Sequence, residues 1–149
     1  MKKYTKDEAL FKLTALCAGG EYCEQDMLEK LQRWGITDTE QAQIMQYLVG
    51  NKYVDNERFC KAFIRSKITF NKWGRRKIEQ ALYAKRIGKE VSDRFFAEID
   101  DEEFLAILRP LIESKRKSIK AKSDYEMNGK LIRFALQRGF EMNLIQECL

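Results

Sequence analysis

The most concentrated chemistry in this 149-residue sequence is positive charge beside aromatic rings. The run Lys72-Trp73-Gly74-Arg75-Arg76-Lys77 places four cations in six residues, with Phe70 two positions before it. From Arg58 to Lys89 there are 11 basic residues and one acid, Glu79, a local excess of +10. Charge runs are ordinarily solvated helix faces, but this one lacks the acids that a salt-bridged face needs. The densest part falls where a helix begins, and a helix N-terminus already presents unpaired N–H groups and partial positive charge. Phosphate is the anion that suits such a place. Phe70 and Trp73 can stack on bases, as aromatics do in single-strand binding grooves. Trp73 suits an anchor between helices equally well.

A second cluster, Lys115, Arg116, Lys117, Lys120 and Lys122, follows the single proline, Pro110. Residues 114–123 hold one large apolar side chain, Ile119, so the segment reads as a projecting helix or a mobile basic arm. Dividing the charge by thirds sharpens the picture. Residues 1–54 are net −1, residues 55–100 net +5 and residues 101–149 net +1, together the formal +5 of the chain.

Other chemistries have few supporting residues. There is no histidine, which removes most zinc sites, imidazole acid–base catalysis and Ser-His-Asp hydrolysis. No Gly-rich nucleotide loop of either common kind occurs. Cys17, Cys23, Cys60 and Cys148 show no CxxC pairing and read as small buried hydrophobes of a reducing cytosol. The acids Asp100-Asp101-Glu102-Glu103 sit where they favour a helix dipole. No cofactor, metal or catalytic set is expected, and the chain reads as a binding protein. No apolar run reaches the ~20 residues of a membrane span. Asp7 and Glu8 precede any apolar stretch, which argues against a signal peptide. The expected location is cytoplasmic.

The elements that position these residues are helices. Thr5 with Glu8 and Thr37 with Glu40 are capping-box pairs, and Asp55 and Ser92 are further candidate caps. Apolar residues recur at helical spacing between glycine stops: Ala9, Leu10, Leu13, Leu16 and Cys17, then Met27, Leu28, Leu31 and Trp34, then Ile44, Tyr47 and Leu48. The pattern restarts with Phe59, Ala62, Phe63 and Ser66 as one face, and again with Phe104, Ile107, Leu108 and Leu111. Leu31 precedes Ile36 by five residues, as Leu82 precedes Ile87 and Ala135 precedes Phe140. Met27, Ile78 and Leu131 stand one turn earlier in the same register. The expectation is an all-α chain of three tandem three-helix repeats, 1–54, 55–100 and 101–149. Units this small must pack on one another, giving an elongated, mildly curved body.

The central segment resembles the signature region of the RecX family of bacterial regulators of the RecA recombinase. The matching residues are Tyr53, Val54, Asp55, Arg58, Phe59, Ala62, Arg65 and Ser66, then Gly74, Arg76, Lys77, Ile78 and Leu82. Lys130, Arg133, Phe134, Arg138, Gly139, Phe140 and Ile145 are similar to the family's closing helix and its arginine-glycine-phenylalanine turn. The first third matches more weakly. Trp73 and Arg75 beside the glycine, and Ala135 before the last turn, depart from the usual pattern.

The resemblance implies three three-helix repeats. It also implies a protein that binds the RecA–DNA filament and suppresses strand exchange, ATP hydrolysis and co-protease activity. Charge and resemblance together single out Arg65, Lys67, Lys72, Trp73, Arg75, Arg76, Lys77, Lys115, Arg116, Lys117, Lys120, Lys122 and Arg133 as the DNA- or filament-binding set. The partners are then the RecA filament and single- or double-stranded DNA, with no membrane, and a monomer is the expected state. The alternative is a helical DNA-binding protein or transcription regulator that does not act on RecA. Against it, the segments that would enter a groove lack the Asn, Gln and Arg mixture that reads base edges.

Overall fold

The computed structural model describes residues 3–149, and among them there are nine helices and no strand. In chain order these are α1 (Lys6–Gly19), α2 (Glu24–Arg33), α3 (Asp38–Gly50), α4 (Asn56–Thr69), α5 (Arg75–Ala84), α6 (Lys89–Phe96), α7 (Asp101–Ser118), α8 (Asp124–Gln137) and α9 (Met142–Glu147). The helix starts follow the cap chemistry. Thr5 accepts the Glu8 N–H while Glu8 accepts the Thr5 N–H, a complete capping box. Thr37, Asp100 and Ser123 each accept the N–H three residues on, and Asp55 accepts those of Glu57 and Arg58.

Two expectations fail locally. Ser92 does not cap a helix: α6 begins after Gly88, and Ser92 is buried within it, its hydroxyl reaching the Lys89 carbonyl. The glycine therefore starts the turn earlier than the serine did on paper. On α4, Ala62 and Ser66 are exposed, and the buried face is Phe59, Cys60, Ile64 and Ile68. Small side chains at helical spacing mimicked a core stripe, but the larger isoleucines win because they remove more apolar area from water.

The described residues form two compact units. The first comprises residues up to Ala62 with the turn Lys85–Ile87, and the second comprises residues 63–84 and 88–149. In the first, Ala9, Leu13, Met27, Leu31, Ile36, Ile44, Met45, Leu48 and Val54 form a buried core, with Tyr4 and Trp34 edge-to-face against it at 5.2 Å. Asp26 of α2 accepts a hydrogen bond from Lys85 Nζ at 2.7 Å and another from the Cys23 N–H. Partial burial works against the Asp26 carboxylate. The hydrogen bonds from Lys85 and Cys23 outweigh it and hold the group below its ordinary 3.8.

In the second unit α7, α8 and α9 pack on one another and α5 packs on α6. The decisive contact is between two loops. Gly74 N–H donates to the Arg138 carbonyl at 2.8 Å, and Arg76 N–H donates to the Gly139 carbonyl at 2.9 Å. The backbones meet so closely that a Cβ on Gly74 would lie 2.4 Å from the Phe140 nitrogen. One on Gly139, which has φ +93°, would lie 2.4 Å from the Lys77 nitrogen.

The turn register seen in the sequence is real geometry. Ile36, Ile87 and Phe140 are all buried, and each follows a residue of positive φ: Gly35 (74°), Arg86 (61°) and Gly139 (93°). Ile36 N–H bonds the Leu31 carbonyl and Phe140 N–H that of Ala135, five residues back in both.

Gly74→Ala is expected to destabilise the protein by about 2–4 kcal/mol, because neither facing backbone can move aside. Gly129→Ala, mid-helix with open space where the Cβ would go, should instead stabilise it by roughly 0.5–1 kcal/mol. Urea titration distinguishes the two.

Asp26→Asn should cost about 1.5–3 kcal/mol near neutral pH, the usual worth of a hydrogen bond to a charged group. Because the folded carboxyl titrates below 3.8, its contribution is present above that pH and fades as pH falls through the lower folded value. Urea midpoints measured from pH 6 down to 2 should therefore converge for the wild type and the variant.

Candidate nucleic-acid interface

The helix N-terminus at the head of the basic run is not open to an anion as the sequence suggested. Two of the N–H groups there are bonded to the carbonyls of Arg138 and Gly139. What the local fold presents is the side chains around that junction. They fall into compensated and uncompensated groups.

Arg75 belongs to the first group. Its guanidinium lies 4.6 Å above the Phe96 ring, 2.8 Å from Asp93 and 3.6 Å from Glu79. Lys89 shares the same two acids at 3.7 and 3.1 Å. Two cations and two carboxylates thus cancel within one cluster. Arg65 is likewise paired with Glu103 at 2.6 Å, on the surface, where such a pair is worth at most about 1 kcal/mol.

The uncompensated group surrounds Trp73. Lys67 Nζ sits 5.0 Å and Lys77 Nζ 4.7 Å from the indole centroid, both within cation–π range. Lys72 and Arg76 are exposed, and among the described residues no carboxylate is paired with either. Lys72 has φ 57°, a left-handed conformation that a side chain rarely takes.

The second basic cluster is not a projecting arm. Lys115, Arg116 and Lys117 form the last turn of α7, where cations favour the helix dipole. Lys115 Nζ lies 5.2 Å over the Phe134 ring of α8, and Arg116 is within 3.8 Å of Glu113. Lys120 and Lys122 occupy the following loop with exposed side chains. Their backbones are tied to α8: the Lys120 carbonyl accepts Lys130 Nζ, and the Lys122 N–H donates to Glu126.

Arg138, absent from the sequence-derived set, joins the two clusters. Its guanidinium is 5.2 Å from the same Phe134 ring that Lys115 covers, and it donates to the Asn71 carbonyl. A continuous chain of contacts therefore runs from Lys67, Trp73 and Lys77 through the Asn71 loop and Arg138 to Phe134 and Lys115. Its signal was present in the arginine-glycine-phenylalanine turn. Arg133 lies apart from this chain, exposed on the rim of an open groove of about 700 Å³ that Ser123, Tyr125, Ile132 and Leu149 also line.

None of the four cysteines is in a disulfide among the described residues, and burial pushes Cys23 up to about 11. Among the described residues no cluster of three or more metal-binding side chains occurs, and no helix is long and apolar enough to cross a membrane.

Comparison with known proteins agrees with this architecture. Residues 55–98 match the second three-helix domain of RecX, and residues 101–149 match the third, together well over half of the chain. "Regulatory protein RecX" of Vibrio campbellii is 28% identical over 95% of this chain and 88% of its own length. Two solved structures share the fold. A crystal structure of a regulatory protein RecX superposes with a TM-score of 0.86 at 17% identity, covering 96% of this chain and 70% of that one. RecX from Lactobacillus salivarius gives 0.82 at 15%, covering 96% and 93%. These define an all-helical regulatory protein built from tandem three-helix domains. The chain belongs to the RecX family.

A phosphate-binding role for the uncompensated face has a measurable signature. Removing Lys72 and Arg76 together should flatten the dependence of log K on log salt by about 1.4 on single strands, at ~0.7 per contact. Arg75→Ala should leave that slope unchanged and lower the melting temperature instead, since it takes the partner from Asp93.

Proposed function

We propose that this chain is a RecX-type regulator that binds the RecA–DNA filament and restrains it, lowering recombinase, ATPase and co-protease activity in the cytoplasm. The observation that carries the reading is the uncompensated cation chain from Lys67 to Lys115, held in place by the Gly74–Gly139 junction in a RecX-family fold. Lys67, Lys72, Arg76, Lys77, Lys115 and Arg138 would meet DNA phosphate or acidic filament surface. Lys117, Lys120 and Lys122 extend the same charge along the α7–α8 loop. Arg65, Arg75 and Arg116 act mainly by holding neighbours, and Arg133 serves a separate surface.

The mechanism needs no chemical step. A molecule seated on an assembled filament opposes the subunit motions that growth, ATP turnover and repressor access require. Concentrating charge on residues 67–77 and the α7–α8 loop suits this better than coating DNA, since the first third is net −1 and is left to meet protein. In this reading the functional modules are the three-helix repeats 1–54, 55–100 and 101–149, acting in a monomer.

A filament binder is effective well below the RecA concentration, whereas a competitor must cover the DNA. Titrating the chain into RecA's DNA-dependent ATPase should show inhibition at substoichiometric ratios that persists when bare DNA is raised. Inhibition that requires near-stoichiometric coverage and vanishes with added DNA would leave a helical DNA-binding protein in its place.

A further inference from the structure

Phe70 is 80% exposed, and unlike the similarly exposed rings Phe11, Tyr83 and Tyr125 it stands beside the densest basic run, Lys72 to Lys77. It stands directly after α4, in the loop that carries the cations. The loop backbone is pinned along its length. Phe70 N–H donates to the Ser66 carbonyl at 2.8 Å, and Trp73 N–H donates to that of Lys67 at 3.1 Å. The Asn71 carbonyl accepts from Arg138, and Gly74 N–H is bonded across the junction. The ring is therefore presented on a fixed scaffold, so little freedom is lost when something covers it.

What covers it is constrained by charge. Lys67, Lys72, Arg76 and Lys77 are its neighbours in sequence, and Glu79 is already engaged by Arg75 and Lys89. A purely apolar partner would desolvate those cations without compensation. The complementary ligand carries regularly spaced anions together with flat apolar faces. Unpaired nucleobases on a phosphate backbone answer that description. Trp73 is a poor stacking residue because two lysines already occupy its π surface. In a duplex the bases are stacked on each other, so a ring reaches them only by wedging a step apart.

We infer that Phe70 is a base-stacking residue and that this face prefers single-stranded nucleic acid to duplex. The inference rests on the nucleic-acid reading of the cation chain above and adds to it the ligand's strandedness.

The test is fluorescence anisotropy with a labelled oligothymidylate and a duplex of equal length, using the wild type, Phe70→Ala and Phe70→Tyr. Exposure makes both substitutions harmless to folding, which circular dichroism checks. Phe70→Ala should weaken single-strand binding by about tenfold or more. Its salt slope should stay unchanged, since no phosphate contact is lost. Duplex binding should move less than twofold, and Phe70→Tyr should retain the wild-type affinity.

Equal losses on both ligands would overturn the stacking assignment and leave phosphate binding intact. So would DNA affinities untouched by Phe70→Ala alongside weaker engagement of a recombinase filament, which would place the ring against protein. A wild type that bound neither oligonucleotide at low salt would sink the nucleic-acid reading itself.

Discussion

The second unit depends on two chain segments approaching with no side chain between them. Gly74 and Gly139 let the start of α5 meet the turn after α8 at backbone hydrogen-bond distance, and each lacks the Cβ that would sit 2.4 Å from a facing nitrogen. The contact satisfies donors at one helix start with carbonyls at another helix end, where both would otherwise be orphaned. It also aligns the positive end of α5 with the negative end of α8. The same contact brings Arg138 beside Asn71, so the electrostatic face is a consequence of the packing.

That face is made by subtraction. The stretch from Arg58 to Lys89 carries a formal +10, but folding neutralises part of it. Glu79 and Asp93 absorb Arg75 and Lys89, Glu21 takes Arg58 at 2.6 Å, and Asp26 takes Lys85. Lys67 and Lys77 rest on Trp73 without losing their charge, and with Lys72 and Arg76 they remain for a partner. Charge density along the chain overstates what is available, because acids distant in sequence close on it. A modest set of cations makes any contact with phosphate reversible, since affinity through phosphates falls steeply with salt.

The repeated turn shows how one solution is reused at different strain. Gly35 and Gly139 take positive φ before Ile36 and Phe140, and Arg86 takes it before Ile87. Glycine adopts this conformation without penalty, while an arginine there gives up stability. The buried hydrophobe that follows holds the turn in all three places.

Much of the fold was legible in the sequence. Thr5–Glu8, Thr37, Asp55 and Asp100 marked helix starts because a cap needs only its own next few residues. The five-residue step from Leu31, Leu82 and Ala135 to a buried hydrophobe showed the repeat for the same reason. The resemblance around Arg65 and Arg138 named the family. Local rules misled at Ser92, where Gly88 opened the helix first, and on α4, where Ala62 and Ser66 shared the helical period with Ile64 and Ile68 but not their apolar area. The site was legible only as composition. Helix content, repeat register and total charge are sums over short stretches, so the sequence by itself determined them. Which cations stay unpaired depends on acids from other helices, and the occupied donors of α5 and the link that Arg138 makes from residues 67–77 to Lys115 depend on segments more than sixty residues apart, so only tertiary packing could decide them.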